Sequence, residues 1–138
     1  MLITKRSSRM NKYVTDTMAL VLRLEKRKMG ARAKATFEKA ENDNAVIFVP
    51  AMVLAELMYL SERGRIETSL DMFSKYSEQF QNIQGEPLNE EIIKVASRIK
   101  DIPELHDRLI AATAGKNRCP LLTNDPIIRA SKHVKTLW

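Results

Sequence analysis

The stretch AVIFVPAMVLAELMYL, residues 45–60, places a strand pattern and a helix pattern on either side of a single proline. Its first five residues are apolar and mostly β-branched or aromatic, which predicts a buried strand over Ala45–Val49. Pro50 suits the first turn of a helix, and that helix is predicted to run to Arg63, just before Gly64. A strand that leads directly into an apolar helix is typical of α/β domains.

The same alternation of short apolar runs and longer helical patterns continues on both sides of this stretch. The predicted strands are Lys12–Thr15, Ala45–Val49, Phe80–Ile83, Cys119–Thr123 and Val134–Trp138. The predicted helices are Thr17–Lys28, Ala31–Asn42, Pro50–Arg63, Ile66–Ser77, a segment capped by Asn89 that extends to Ile99, Leu105–Lys116 and Pro126–Ser131. Such alternation predicts an α/β fold in which helices cover both faces of a mostly parallel sheet.

Length and composition indicate one intracellular domain. The chain has 138 residues, 44% of them hydrophobic and 29% charged, which is the composition of an ordinary globular protein. We expect a single domain over residues 12–138, preceded by a basic N-terminal extension over residues 1–11. One cysteine, Cys119, suits a reducing compartment, and no apolar stretch approaches the roughly 20 residues of a membrane span. The sequence therefore predicts a cytoplasmic protein without membrane association.

The net charge of +6 is unevenly distributed. Residues 23–39 carry seven basic and two acidic side chains, whereas residues 40–114 are acidic overall and residues 115–138 are basic again. Basic segments from both parts of the chain could form one face that attracts phosphate groups. The alternative is an ordinary solvated helix surface.

Glu56 is the most informative single residue, because it is the only charged residue between Pro50 and Leu60. A helix that is apolar on all sides is buried, so this carboxylate is predicted to face the interior or the floor of a pocket. An unpaired buried carboxylate costs several kcal/mol, so it needs a partner. That partner is either a buried Arg or Lys or a bound cation.

Three aspartates favour the cation. Asp16 and Asp125 each follow a predicted strand, and Asp107 opens a predicted buried helix. Each alone could be a helix cap or a first-turn acid, but strand ends and the helices that begin there line one crevice in an open α/β sheet. Oxygen ligands suit Mg²⁺ or Mn²⁺, and with only two histidines and one cysteine in the chain a structural zinc site is disfavoured.

Four segments, in this order, resemble the PIN domain and, within that family, the VapC-type toxins of bacterial toxin–antitoxin pairs. They are the strand ending in Asp16-Thr17, the run from Val49-Pro50 to Ala55-Glu56-Leu57, the run HDRLIAATA over residues 106–114, and Leu122-Thr123-Asn124-Asp125. The resemblance covers residues 12–138. Its most specific parts are the last two segments at their proper spacing.

The resemblance implies a three-layer α/β/α sandwich and Mg²⁺- or Mn²⁺-dependent cleavage of single-stranded RNA. It assigns the metal ligands and catalytic acids to Asp16, Glu56, Asp107 and Asp125. It further implies a homodimer that a cognate antitoxin neutralises. Supporting or substrate-binding residues are expected at Thr17, Thr123, Asn124, Arg108 and Lys116.

Other functions are compatible with parts of this pattern. Met18 stands where the family often has a small polar residue, which leaves open the alternative of a catalytically weak or inactive PIN-like module that binds RNA or protein. A DNA-directed nuclease is a second alternative. A phosphoacceptor receiver domain also has an acidic pocket, but it requires paired acids at the end of the first strand, whereas here the second acid, Glu56, lies within a helix.

Overall fold

The computed structural model describes residues 10–138, so the first nine residues of the predicted basic extension lie outside the described part. Five strands form one sheet in the order β3-β2-β1-β4-β5, and every pair of neighbours is parallel. The strands are β1 (Asn11–Thr15), β2 (Ala45–Pro50), β3 (Ile83–Glu86), β4 (Leu121–Leu122) and β5 (Thr136–Leu137). The predicted α/β/α sandwich with a central parallel sheet is therefore confirmed.

Helices connect each strand to the next. They are α1 (Thr17–Leu24), α2 (Ala31–Glu41), α3 (Ala51–Glu62), α4 (Leu70–Gln79), α5 (Glu90–Ser97), α6 (Leu105–Asn117) and α7 (Pro126–Arg129). Among residues 10–138, no helix combines the length and apolar character that crossing a bilayer requires.

The strand order creates a crevice next to β1. The chain adds β2 and β3 on one side of β1 and then returns to place β4 and β5 on the other side. At such a reversal the loops that leave the two neighbouring strands diverge, and ligands of open α/β sheets bind in the resulting crevice at the carboxyl ends of the strands. Here those two strands are β1, which leads into Asp16, and β4, which leads towards Asp125.

The central strands are continuous apolar runs in the sequence because their residues are buried on both faces of the sheet. Val14, Ile47 and Leu121 are fully buried in neighbouring strands, as expected for a parallel sheet covered on both faces. Helix α3 contributes only Val53 and Leu57 as buried residues, and its remaining apolar side chains are partly or fully exposed. Thus α3 is not surrounded by protein on all sides, contrary to what its composition suggests.

Four predicted boundaries are wrong by three or four residues: both ends of β3, the start of α4 and the end of α1. β3 begins at Ile83 because residues 80–82 form a turn, in which the amide of Ile83 donates to the carbonyl of Phe80 at 2.9 Å. α4 begins at Leu70 rather than Ile66 because the Ser69 hydroxyl caps it and accepts from the amide of Met72 at 3.2 Å.

α1 is also shorter than predicted. It ends at Leu24 rather than Lys28, since Lys26 adopts a left-handed conformation with φ of 55° and turns the chain away.

Candidate functional site

A cavity of about 380 Å³ opens at the carboxyl ends of β1 and β4. All four acids singled out from the sequence line it: Asp16, Glu56, Asp107 and Asp125. The other lining residues are Thr17, Met18, Leu22, Leu60, Ile110, Asn124, Ile128 and Trp138. The structure therefore brings together carboxylates that are as much as 109 positions apart in the chain.

Asp16 is held at the point where β1 passes into α1. Its carboxylate caps α1 by accepting from the amide of Ala19 at 2.8 Å. Burial raises the pKa of Asp16 to about 6, and the nearby charges of Asp125 and Glu56 act in the same direction. Hydrogen bonds from Thr123 and Ala19 only partly offset this increase. The folded protein thus keeps an acid where its ionisation is unfavourable, as expected of a residue placed for a cation.

Glu56 projects from the middle of α3 into the cavity, and its side chain is 26% exposed. The Thr17 hydroxyl donates to its Oε1 at 2.6 Å, and Nδ1 of His106 lies 3.7 Å from its Oε2. Within residues 10–138, no Arg or Lys forms an ion pair with this carboxylate, so the basic partner considered from the sequence is not found there. The helix that seemed fully apolar instead presents Glu56 on its cavity side.

Asp107 lies in the first turn of α6. Its pKa is raised to about 6 by burial first, and then by the charges of Glu104, Asp125, Glu56 and Asp16. The four acids therefore repel one another across the cavity, as carboxylates do when no cation lies between them.

Asp125 completes the rim as the cap of α7. Its Oδ1 accepts from the amides of Ile127 at 2.9 Å and Ile128 at 3.1 Å. The second oxygen of the carboxylate takes no part in this capping. The backbone amide of Asp125 donates to the Thr123 hydroxyl at 3.1 Å. This fully buried threonine also lies close enough to Asp16 to lower the pKa of that carboxyl, so it is near both the acid after β1 and the acid after β4.

A second set of groups at the cavity edge was not predicted as a ligand set. Single ligand atoms of Glu56, Glu104 and His106 lie within 4.8 Å of one another. Glu104 also caps α6, accepting from the amides of His106 at 2.7 Å and Asp107 at 3.2 Å. Its position one turn before Asp107 was the available sequence signal, but it is equally typical of an ordinary cap.

The five supporting residues have different positions. Thr17 and Asn124 line the cavity, and Thr123 lies beneath it. Arg108 is directed away, because its guanidinium donates to the carbonyls of Ile102 at 2.9 Å and Pro103 at 3.4 Å. Lys116 is near the far end of α6, with its ammonium 3.9 Å from Glu86. A substrate contact by either residue stays a prediction.

The donor set fits a hard divalent cation. The cavity offers carboxylate oxygens from four chain segments together with the Thr17 hydroxyl and the Asn124 amide, and Mg²⁺ and Mn²⁺ prefer oxygen ligands. Burial first, and the charges of neighbouring acids second, raise the pKa values of Asp16 and Asp107, so ionised carboxylates are disfavoured in the cavity when no cation is bound. A bound cation would offset the repulsion between those charges.

Several solved structures have the same fold. The chain is similar to a protein in the VapBC2 complex of Rickettsia felis bound to a promoter DNA fragment, with 18% identity and a TM-score of 0.68 over 92% of this chain and 98% of that chain. It is similar to one in DNA-bound VapBC of Salmonella typhimurium, with 15% identity and a TM-score of 0.68 over 93% and 98%.

A third similar structure is Mycobacterium tuberculosis VapC20, described as a toxin that cleaves the sarcin–ricin loop. Its identity is 14% and its TM-score 0.62, over 89% of this chain and 97% of that chain. A comparison of the sequence with curated proteins found no match. The PIN domain family model matches residues 13–133, which include all four cavity acids and nearly the whole chain. The chain therefore belongs to the PIN-domain family.

Proposed function

We propose that this protein is a Mg²⁺- or Mn²⁺-dependent endoribonuclease that hydrolyses phosphodiester bonds of single-stranded RNA. The observation that carries the proposal is the meeting of Asp16, Glu56, Asp107 and Asp125 in one cavity at the reversal of strand order. Membership of the PIN family and the similarity in fold to VapC20, a toxin described as cleaving the sarcin–ricin loop, support the same chemistry.

In this proposal Asp16, Glu56 and Asp125 hold the metal, directly or through water. When bound, a divalent cation supplies an acidified water and stabilises negative charge on a phosphate. Asp107 either joins the ligands or accepts the proton of the attacking water, and a carboxylate pKa of about 6 suits a general base near neutral pH. Thr17 orients Glu56, and the Thr123 hydroxyl, which accepts from the backbone amide of Asp125, helps to position Asp125.

The biological role proposed here is that of the toxin in a toxin–antitoxin pair. It is supported by the likeness in fold to proteins solved as VapBC complexes. The protein would act in the cytoplasm as a homodimer, with a cognate antitoxin bound over the acidic cavity. Met18, which lines the cavity and is 45% exposed, offers an apolar contact at its mouth.

The test is cleavage of a labelled single-stranded RNA in Mg²⁺, in Mn²⁺ and in EDTA, with single-stranded and duplex DNA as parallel substrates. Asp16→Asn and Asp107→Asn should abolish metal-dependent cleavage while the circular dichroism spectrum is retained. Asp71→Asn is a matched control, since Asp71 is exposed and, among residues 10–138, pairs only with Lys75 one turn along α4.

Cleavage that survives both cavity substitutions would overturn the proposal. Binding of RNA without cleavage by the wild-type protein would support the inactive module instead. Preferential cleavage of DNA would assign a different substrate.

A further inference from the structure

A concave basic surface lies beside the acidic cavity, and we infer that it binds the phosphate backbone of the RNA that the cavity cleaves. The inference rests on the proposed function and identifies residues that position the substrate. The surface follows the end of α1, the α1–α2 loop and the start of α2. It encloses about 280 Å³ and is lined by Leu22, Arg23, Lys26, Arg27, Lys28, Met29 and Lys34.

Two residues make this basic surface continuous with the cavity. Leu22 lines both. Trp138 lines the cavity and also contacts the far end of the loop, where its carbonyl accepts from the amide of Arg32 at 3.1 Å. At a rise of about 1.5 Å per residue, the eight residues of α1 place the loop roughly 12 Å from Asp16. A strand of a few nucleotides can therefore contact both places, within the range of site sizes known for single-stranded binding.

Three of the cations on this surface are not neutralised by a neighbouring acid within residues 10–138. Arg23 is paired with Glu41, and Arg27 lies 3.4 Å from Glu25. Lys26, Lys28 and Lys34 are exposed and take part in no ion pair among the described residues. They thus offer three positive charges on one side of the loop.

The loop is also held in shape before any ligand binds. The carboxylate of Glu25 accepts from the amides of Glu67 at 3.1 Å and Thr68 at 3.0 Å and from the Thr68 hydroxyl at 2.6 Å. These contacts fasten the α1–α2 loop to the segment before α4. The hydrogen bond from the Thr68 hydroxyl contributes most to lowering the pKa of Glu25 below its usual range, so Glu25 stays ionised. A fixed loop loses less conformational entropy when it binds a strand.

A nucleic acid is the partner that this chemistry fits best. An acidic cavity repels phosphates, so RNA needs an adjacent positive surface to bring a phosphodiester bond up to the carboxylates. Lysines contact phosphate as point charges and do not recognise the base sequence. The affinity for RNA is therefore predicted to depend strongly on salt concentration and little on RNA sequence.

The test compares two triple variants of the full-length chain, each with three lysines changed to glutamine. The first changes Lys26, Lys28 and Lys34. The second changes Lys12, Lys39 and Lys135, which are exposed at the opposite, amino-terminal end of the sheet. Both triples are made in the Asp107→Asn background so that the RNA stays intact. Affinity for a fluorescein-labelled single-stranded RNA of about 12 nucleotides is measured by anisotropy over a range of salt concentrations.

We expect the first triple to bind RNA at least about tenfold more weakly at 0.1 M salt and to reduce the salt slope by up to roughly 2. The control triple should bind like its parent. With Asp107 restored, the first triple should raise KM for RNA and leave kcat nearly unchanged.

Equal loss of affinity in both triples, or none in the first, would overturn this inference while cleavage of RNA by the wild-type protein upholds the proposed function. If the wild-type protein neither binds nor cleaves RNA, the proposed function fails, and the inference fails with it.

Discussion

The Thr17 hydroxyl donates to Oε1 of Glu56 at 2.6 Å and so joins the first residue of α1 to the middle of α3. Thr17 is only 7% exposed. Its hydrogen bond holds in place the Glu56 carboxylate, which projects from the largely apolar helix α3. Groups that orient a metal ligand in this way commonly change metal affinity by about 10- to 100-fold when they are removed.

We therefore expect Thr17→Val to weaken Mg²⁺ binding by about 10- to 100-fold while the protein remains folded. Isothermal titration with Mn²⁺ and the metal concentration for half-maximal cleavage measure this directly. Thr17→Ser, which keeps the hydroxyl, is the matched control and should bind metal nearly as the wild type does. Unchanged metal binding by the valine variant would mean that Glu56 is not a ligand or needs no orientation.

Asp107→Asn should stabilise the protein in EDTA at pH 8. Burial and nearby acids raise the pKa of Asp107 to about 6, above the value near 3.8 expected in the unfolded chain. The folded state consequently loses stability as pH rises from about 4 to about 6, and the neutral amide avoids that loss. Because the side chain is partly exposed, we expect a gain of only about 1 kcal/mol, or roughly 3 °C in Tm.

The gain from Asp107→Asn should largely disappear near pH 3.5, where the carboxyl is mostly protonated in both states. Differential scanning fluorimetry over pH 3.5 to 8 follows both results. Adding Mg²⁺ should raise the Tm of the wild type more than that of the variant. A lower Tm for the variant in EDTA at pH 8 would show that the carboxylate stabilises the fold.

The cluster of Glu41, Arg23 and Tyr76 should give the opposite pH dependence. Burial alone would raise the pKa of Glu41, but hydrogen bonds from Arg23 and Tyr76 outweigh it and hold the pKa below its usual range. Glu41 therefore contributes stability that is complete above its unfolded pKa near 4.5 and is lost as pH falls through the lower folded value.

We expect the difference in Tm between wild type and Glu41→Gln to be largest near pH 7 and to shrink below pH 4.5. Tyr76→Phe should cost about 2 kcal/mol at pH 7, since it removes one hydrogen bond to a charged acceptor. Thermal melts at matched ionic strength measure both differences. A Tm difference that is constant from pH 7 to pH 3 would contradict the role given to Glu41.

Gly30 is tightly enclosed by Trp138. A Cβ atom at Gly30 would lie 2.5 Å from the carbonyl carbon and 2.6 Å from Cδ1 of Trp138, far inside van der Waals contact. Gly30→Ala should therefore displace Trp138 and lower Tm, with overpacking typically costing about 1–3 kcal/mol. Ala31→Gly, one position later on an exposed site, is the control for a simple change in backbone entropy. A variant as stable as the wild type would show that Trp138 moves aside freely.

Much of the site follows from local patterns. An acid directly after a buried strand, as at Asp16 and Asp125, and an acid inside an apolar helix, as at Glu56, are visible without any structure. Their meeting follows from the rule that carboxyl ends of parallel strands share one edge. Only the strand order, with β1 between β2 and β4, makes Asp16 and Asp125 neighbours, and no local pattern gives that order.

Local sequence patterns predict neither the position of the basic surface beside the cavity nor the tertiary contacts of Trp138. The charge excess over residues 23–39 was clear from the sequence, but its place beside the cavity depends on Lys26 ending α1 early and on Glu25 binding Thr68, 43 positions away. In the sequence, Trp138 is visible only as the last residue of a predicted strand. The positions of the basic surface and of Trp138 are decided by tertiary contacts of single residues. The periodicity of apolar residues, in contrast, is a property of a whole segment and does not reveal such contacts.

The pairing of the first strand with the fourth has a consequence during synthesis. A growing chain completes β1, β2 and β3 and three of the four cavity acids before β4 and Asp125 have been made. Until then Asp16 has no neighbour on one side, and the cavity has no wall there. On the function proposed above, a nascent or prematurely terminated product that lacks β4 and Asp125 would therefore lack a complete metal site and should not cleave RNA.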